Sequence, residues 1–176
     1  MRQGRPDEAI ALYQRALTRD PRFVGAYINL ADVYRVQGRE SEGEKVLRQG
    51  LAVQPRAADL HHALGLVLVR KGGKDDKASA LNEFALAEKF APDNARYSYV
   101  HAVALHSAGK GAEASSVLRA AEARHPYDID ILGMLVSLNR EAGNAKAALP
   151  YARKIAEILP GDPGVKRLLA ELESGR

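Results

Sequence analysis

The fold of this chain is decided by GRPDEAIALYQRALTRDP, residues 4–21. This stretch begins with a glycine, has a small residue five positions later and ends with a proline. The same pattern returns at 38–55, 109–126 and 143–160, and at 72–92 with three extra residues. The closing prolines therefore lie 34, 37, 34 and 34 residues apart. A fixed period of this length predicts an array of repeated units, each of which buries its apolar face against its neighbours.

Helix signals divide the units into pairs of antiparallel helices. Pro6 suits a first helical turn, and Asp7 and Glu8 complement the positive end of the helix dipole. Asp20 precedes a proline and therefore ends this helix. No segment alternates polar and apolar residues, so we expect no strands. The sequence predicts an all-α chain of about ten helices, at 6–19, 23–37, 40–53, 57–70, 76–90, 94–108, 111–124, 129–141, 145–158 and 163–173.

Local signals refine these helices. Gly38 permits the left-handed turn that commonly caps a helix. We expect the three-residue insertion to lie in the loop GGKDDK, residues 72–77, because insertions in repeats usually enlarge a loop. Asp93, Asp128 and Asp162 are expected to cap the helices that follow them.

Composition favours a soluble globular protein. Of the 176 residues, 46% are hydrophobic and 27% are charged. The net charge is +4, without the clustered lysines and arginines that nucleic-acid binders usually carry on one face. The absence of cysteine excludes disulfides, thiolate metal sites and cysteine nucleophiles.

Targeting signals are not evident in the sequence. The N-terminal MRQGRPDEA lacks the apolar segment of a signal peptide, and the longest apolar run, 63–69, is too short to span a bilayer. We therefore expect a cytoplasmic protein without membrane insertion, or a periplasmic one if the chain is part of a longer secreted protein.

These features resemble the tetratricopeptide repeat (TPR) family, whose unit has 34 residues, two antiparallel helices and a closing proline. The second helix pair carries the family's large and small residues at Tyr27, Leu30, Ala31, Tyr34, Gly38, Gly43, Leu47, Gly50 and Pro55. The fourth pair carries them at Ala102, Leu105, Gly109, Ala114, Leu118, Ala121 and Pro126, and the fifth at Leu132, Leu135, Gly143, Ala148 and Pro160. The departures are His101, Asn139 and Ile155, where leucine, tyrosine and alanine are usual.

The resemblance covers nearly the whole chain and implies a right-handed superhelical solenoid. Residues 1–176 would form a single TPR array. Its segments would be the second helix of a truncated repeat at 6–21, repeats at 24–57, 58–94, 95–128 and 129–162, and a C-terminal capping helix at 163–173. The stretches HHALGLVLVRKG and YVHAVALHSAGK also resemble TPR segments that follow haem-binding domains in some bacterial multihaem cytochromes. Because no C-x-x-C-H motif is present, this resemblance implies no haem.

The TPR resemblance implies a non-catalytic scaffold that binds a peptide or helical segment of a partner protein in a concave groove. The first helix of each pair would line this groove. Asn29 matches an asparagine that hydrogen-bonds the ligand backbone in many TPR proteins. The apolar members of the groove suit an apolar or amphipathic segment. The groove residues implied by the family's pattern are Asn29, Asp32, Asp59, His62, Leu66, Arg96, Tyr99, Val103, His106, Met134, Ser137 and Arg140.

We predict no enzyme, metal or cofactor. The motifs H-E-x-x-H and G-x-S-x-G are absent, and GKG at 109–111 is a hairpin turn and not a phosphate loop. His61 and His101 lie on packing stripes and are expected to be core histidines. His62 and His106 face the groove, without an evident carboxylate to complete a metal site.

Two alternatives to peptide binding remain. The chain could be an assembly module of a larger protein, including a homodimer through helix 6–19, whose outer face would carry Ile10, Tyr13 and Leu17. An RNA-binding helical repeat is the other alternative, favoured only by the basic charge.

Overall fold

The computed structural model describes residues 6–174, and in this range it contains ten α-helices and no β-strand. The predicted all-α helical repeat fold is confirmed. Every helix begins and ends within two residues of its predicted bounds. By their packing the helices form two compact units, α1–α5 and α6–α10. The helices are α1 (Pro6–Arg19), α2 (Val24–Val36), α3 (Glu40–Val53), α4 (Ala58–Lys71), α5 (Lys74–Phe90), α6 (Ala95–Ser107), α7 (Gly111–Arg124), α8 (Ile129–Glu141), α9 (Ala145–Ile158) and α10 (Pro163–Ser174).

In the first unit, each helix contacts the next one in sequence, and α2 also contacts α4. Small residues allow the helices to approach closely. A methyl group on Gly65 of α4 would lie 2.5 Å from Cε1 of Phe84 on α5. The aromatic ring therefore occupies the space that a larger residue would need. The largest fully buried side chains of this unit are Phe84, Leu30, Leu47, Leu60, Leu64, Leu68 and Val67.

The second unit repeats this arrangement, with α6 also contacting α8. Its last helix, α10, closes the core with Val165 and Leu172, which belong to a buried cluster with residues of α8 and α9. The polar side of α10 carries Glu171, which pairs with Arg140 at 3.2 Å. The apolar end of this unit is thus covered by an amphipathic helix.

Glycines form the turns between the two helices of each pair, as predicted for Gly38. Gly38, Gly72, Gly109 and Gly143 have φ of 72°, 74°, 77° and 69°, the left-handed region that favours glycine. Their regular recurrence explains why the helix boundaries could be predicted so closely.

The three-residue insertion lengthens a helix and not the loop, so the expectation for residues 72–77 was wrong. α5 has 17 residues, whereas α3 has 14, and two glycines alone separate α4 from α5. Gly72 caps α4 in the left-handed conformation and Gly73 is the N-cap of α5, while Asp75 and Asp76 complement the dipole at the new helix start. The added turn also brings Oδ1 of Asp76 within 3.3 Å of Nζ of Lys71.

The prediction of helix caps was wrong at one position. Asn94, and not Asp93, caps α6, because its Oδ1 accepts a hydrogen bond from the backbone N–H of Arg96 at 3.2 Å. Asp128 caps α8 as predicted, and Asp162 accepts from the third residue of α10 at 2.9 Å. Caps of this kind satisfy N–H groups that the first helical turn leaves free.

Candidate partner-binding surface

The groove residues predicted from the sequence lie on α2, α4, α6 and α8, the first helix of each complete pair. On α6 they recur every three or four residues, which places Arg96, Tyr99, Val103 and His106 on one stripe. None of the groove residues is buried. Those that are exposed are Asn29, Asp32, Asp59, Arg96, Ser137 and Arg140, and those that are half-buried are His62, Leu66, Tyr99, Val103, His106 and Met134.

In the first unit, two groove residues share an open pocket of about 440 Å³ with α1. Asn29 and Asp32 form part of its α2 wall, and the carboxylate of Asp32 accepts a hydrogen bond from Nε of Arg35 at 3.0 Å. The sequence placed both residues on a groove but did not indicate that α1 forms the other wall. The full lining is Pro6, Ala9, Tyr13, Asn29, Asp32, Val33 and Val36.

The two histidines of α4 have different environments. His61 is buried, and its ring nitrogens lie 2.6 Å from Oε2 of Glu83 and 3.1 Å from the carbonyl oxygen of Pro55. Both ring nitrogens therefore lie within hydrogen-bonding distance of a polar partner. The prediction of a satisfied core histidine is confirmed here. His62 is half-buried, and its ring centroid lies 5.9 Å from that of Phe84, so part of the ring faces the core.

In the second unit, α6 and α8 contact each other and carry three of the four apolar groove residues. Tyr99, Val103 and Met134 are half-buried, which leaves part of each side chain accessible. Ser137 donates a hydrogen bond from Oγ to the carbonyl oxygen of Gly133 at 3.1 Å. The accessible surface of this unit therefore combines apolar side chains with polar groups.

His106 has a carboxylate partner that sequence reasoning missed. Its Nε2 lies 3.3 Å from Oε2 of Glu141, a pair separated by 35 positions. Both side chains line an open pocket of about 460 Å³ together with Ser115 and small residues of the α6–α7 turn. No periodic pattern links these positions, so only the packed structure could reveal the pair.

His101 was expected to be a core histidine, but in the structure it is only half-buried.

Charged side chains join α3 to α4 in the first unit. The carboxylate of Glu44 accepts hydrogen bonds from Lys71 at 2.7 Å and from Arg48 at 2.8 Å. The bond from Lys71 contributes most to holding the pKa of Glu44 below its usual value, and the bond from Arg48 adds to this effect. Partial burial acts in the opposite direction but is outweighed. Arg70 forms a bidentate ion pair with Glu40, in which Nε donates to Oε1 at 2.7 Å and Nη2 donates to Oε2 at 3.1 Å. Charge pairing therefore reinforces the helix packing.

Within residues 6–174, no cluster of three or more histidine, aspartate or glutamate side chains is arranged to hold a metal ion. In the same range, no helix has both the length and the apolar character needed to cross a membrane.

The sequence of this chain matches profiles of a known repeat family and one curated protein. Two sequence profiles of the tetratricopeptide repeat match the chain, at residues 1–67 and 63–129. The TPR repeat-containing protein YpiA of Bacillus subtilis (strain 168) is 22% identical over 171 residues, which are 97% of this chain and 40% of that protein. The chain thus spans well under half the length of this curated relative.

Solved structures show the same helical repeat fold. MamA has a TM-score of 0.72 and 21% identity, over 88% of this chain and 89% of that one. YrrB, a TPR protein with an unusual peptide-binding site, has a TM-score of 0.68 and 22% identity, over 96% and 84%. TTC0263, a thermophilic TPR protein of Thermus thermophilus, has a TM-score of 0.64 and 24% identity, over 97% and 92%.

Proposed function

The chain belongs to the tetratricopeptide repeat family, and on this premise we propose that it is a non-catalytic scaffold that binds a peptide or helical segment of a partner protein. Within each unit, the candidate binding surface would be formed by that unit's groove residues. TPR proteins in general bind protein or peptide partners. The structurally similar YrrB, with its peptide-binding site, supports this proposal by its fold alone.

The observation that carries the proposal is the division of α6 into two apolar faces. Tyr97, Ala102 and Leu105 are buried in the core of the second unit. Tyr99 and Val103 lie on another side of the same helix and are only half-buried. A helix that needed only to pack against its neighbours would carry polar residues at such positions. The second apolar face therefore favours contact with a partner.

The composition of this face indicates the chemistry of the partner. Aromatic and methionine side chains are enriched in the cores of protein interfaces, and Tyr99 and Met134 are of these types. Arg96 lies on the same stripe of α6 as Tyr99 and is exposed. An amphipathic segment with apolar side chains toward Tyr99, Val103 and Met134, and an acidic group toward Arg96, would fit this surface.

The proposal is tested by pull-down from a lysate of the cells that produce the protein. The bait variants are Asn29→Ala/Tyr99→Ala and a control, Gln49→Ala/Arg119→Ala, whose residues are exposed on the second helices α3 and α7. Each bait is first shown by circular dichroism to keep its helical content. A partner retained by the wild type and by the control but lost by the first variant supports the proposal. A partner retained equally by all three baits contradicts it.

A further inference from the structure

The pocket of about 460 Å³ in the second unit contains a carboxylate that no lysine or arginine neutralises. Glu141 is the last residue of α8, and its side chain is 57% exposed. Within residues 6–174, its one ion pair is with His106, which is charged only when protonated. By contrast, Glu40, Glu44 and Glu122 pair with arginine or lysine. Glu141 therefore keeps a negative charge that a cation from outside the chain can neutralise.

The helix ends around this pocket add to its negative charge. His106 belongs to the last turn of α6 and Glu141 to the last turn of α8, whereas a single helix start, that of α7 at Gly111, lies in the lining. Helix C-terminal ends carry a partial negative charge, and acidic side chains are unfavourable there. Glu141 thus occupies a position that costs stability, and a bound cation would offset this cost.

The cations nearest to Glu141 in sequence and in the pocket wall are already paired. Arg140 precedes it in the chain but forms an ion pair with Glu171 on α10 at 3.2 Å. Lys110, which lies between two lining glycines, forms an ion pair with Glu113 at 3.2 Å. These pairs leave the carboxylate of Glu141 accessible to a cation of a binding partner.

The pocket has the size and the polar groups to take one long basic side chain. Its volume of about 460 Å³ lies within the range of ligand pockets, roughly 300–1,000 Å³. Gly111 adds no side chain to the lining, and the hydroxyl of Ser115 can accept a hydrogen bond. An arginine matches these groups well, because the planar guanidinium presents N–H donors in a fork that binds a carboxylate bidentately.

We propose that this pocket binds an arginine of the partner segment, an inference that rests on the proposed groove function. His106 ends the α6 stripe of groove residues and also lines the pocket, so the groove of the second unit continues into the pocket. Arg96 begins the same stripe ten residues earlier, which is about 15 Å along the helix. A bound segment would thus direct an acidic group toward Arg96 and its arginine toward Glu141. The two residues would be about five positions apart in an extended segment and about ten in a helix.

The probe is a display library of random peptides of about twelve residues, long enough to follow this stripe, selected on the immobilised whole chain. We expect the recovered peptides to share a basic residue. Glu141→Gln should weaken their binding by about tenfold, and Glu141→Asp should weaken it less, because it keeps the charge. Glu113→Gln is the control, because Glu113 is exposed to a similar degree, 60%, and lies outside the pocket lining.

Charge reversal supplies a result that a folding defect cannot imitate. A recovered peptide in which glutamate replaces the arginine should bind the wild-type chain at least about tenfold more weakly than the original peptide. The Glu141→Arg chain should bind this altered peptide better than the wild-type chain does. Such recovery requires a direct contact between the two charges, whereas a purely structural role of Glu141 would not produce it.

The outcomes separate this inference from the groove proposal. Peptides that are lost with Tyr99→Ala but bind the Glu141→Gln chain as tightly as the wild type would leave the groove proposal standing and overturn the arginine pocket. Recovered peptides without a shared basic residue would overturn the pocket as well. Peptides that bind both variants unchanged, or a selection that recovers no peptide, would overturn both.

Discussion

Two glycines in the middle of helices offer a matched test of how tightly the repeat core is packed. A Cβ atom at Gly133 of α8 would meet no packed neighbour within 4 Å beyond the adjoining residues and helix backbone, whereas a Cβ atom at Gly65 would lie 2.5 Å from Cε1 of Phe84. Gly133→Ala should therefore stabilise the protein by about 0.5–1 kcal/mol, because alanine loses less backbone entropy than glycine in a helix.

Gly65→Ala should have the opposite sign although the chemical change is the same. Phe84 is 2% exposed, so its ring has no solvent-filled space into which it could move. Overpacking of this kind costs about 1–3 kcal/mol, which exceeds the gain in helix propensity. We expect net destabilisation of about 1 kcal/mol, and a difference between the two variants of about 2 kcal/mol.

The assay is urea unfolding followed by circular dichroism at 222 nm, with each unfolding midpoint compared with that of the wild type. Equal slopes of the unfolding transitions are required, since a changed slope would indicate a change in the unfolded state or a loss of two-state behaviour. If Gly65→Ala stabilised the chain as much as Gly133→Ala, the close approach of α4 to the Phe84 ring would be refuted.

Three further substitutions test other contacts of the described chain. His61→Ala should lower the free energy of unfolding by about 3 kcal/mol, because it leaves the half-buried carboxylate of Glu83 without its partner; recovery of stability on adding Glu83→Leu would check this cause. Glu44→Gln should destabilise by at most about 1 kcal/mol at pH 7. Because the folded pKa of Glu44 lies below its usual value of 4.5, this difference should be constant above pH 4.5 and decline as the pH falls further, as pH-dependent thermal unfolding would show. Asn94→Ala should cost about 1 kcal/mol through loss of the α6 cap, whereas Asp93→Ala should change the unfolding midpoint little.

Much of the helical architecture could be predicted because its signals are local. Glycines at Gly38, Gly72, Gly109 and Gly143 require a left-handed conformation, and prolines end the second helices. The two errors arose where neighbouring residues offered competing solutions. Lys74–Lys77 is polar enough for a loop but also forms a helix, and the tight Gly72 turn decided in favour of the helix.

The candidate surface was less predictable because its contacts are not local. The family's pattern implied Tyr99 and Val103 as groove residues, and in the structure both are half-buried on α6. The pairs His61–Glu83 and His106–Glu141 join different helices and follow no sequence pattern. The open pocket beside Ala9 likewise depends on how α1 and α2 pack, which the repeat pattern alone does not describe.

The most direct test of the scaffold proposal is site-specific photo-crosslinking to a partner. A photoreactive phenylalanine analogue replaces Tyr99 on α6 in one bait and Arg119 on α7 in the other, and adducts formed in lysate are identified by mass spectrometry. Tyr99 is half-buried on the accessible stripe and Arg119 is exposed on a second helix. We predict a discrete partner adduct from position 99 and none from position 119. Adducts of the same partner from position 119 alone would contradict a binding surface on the first helices.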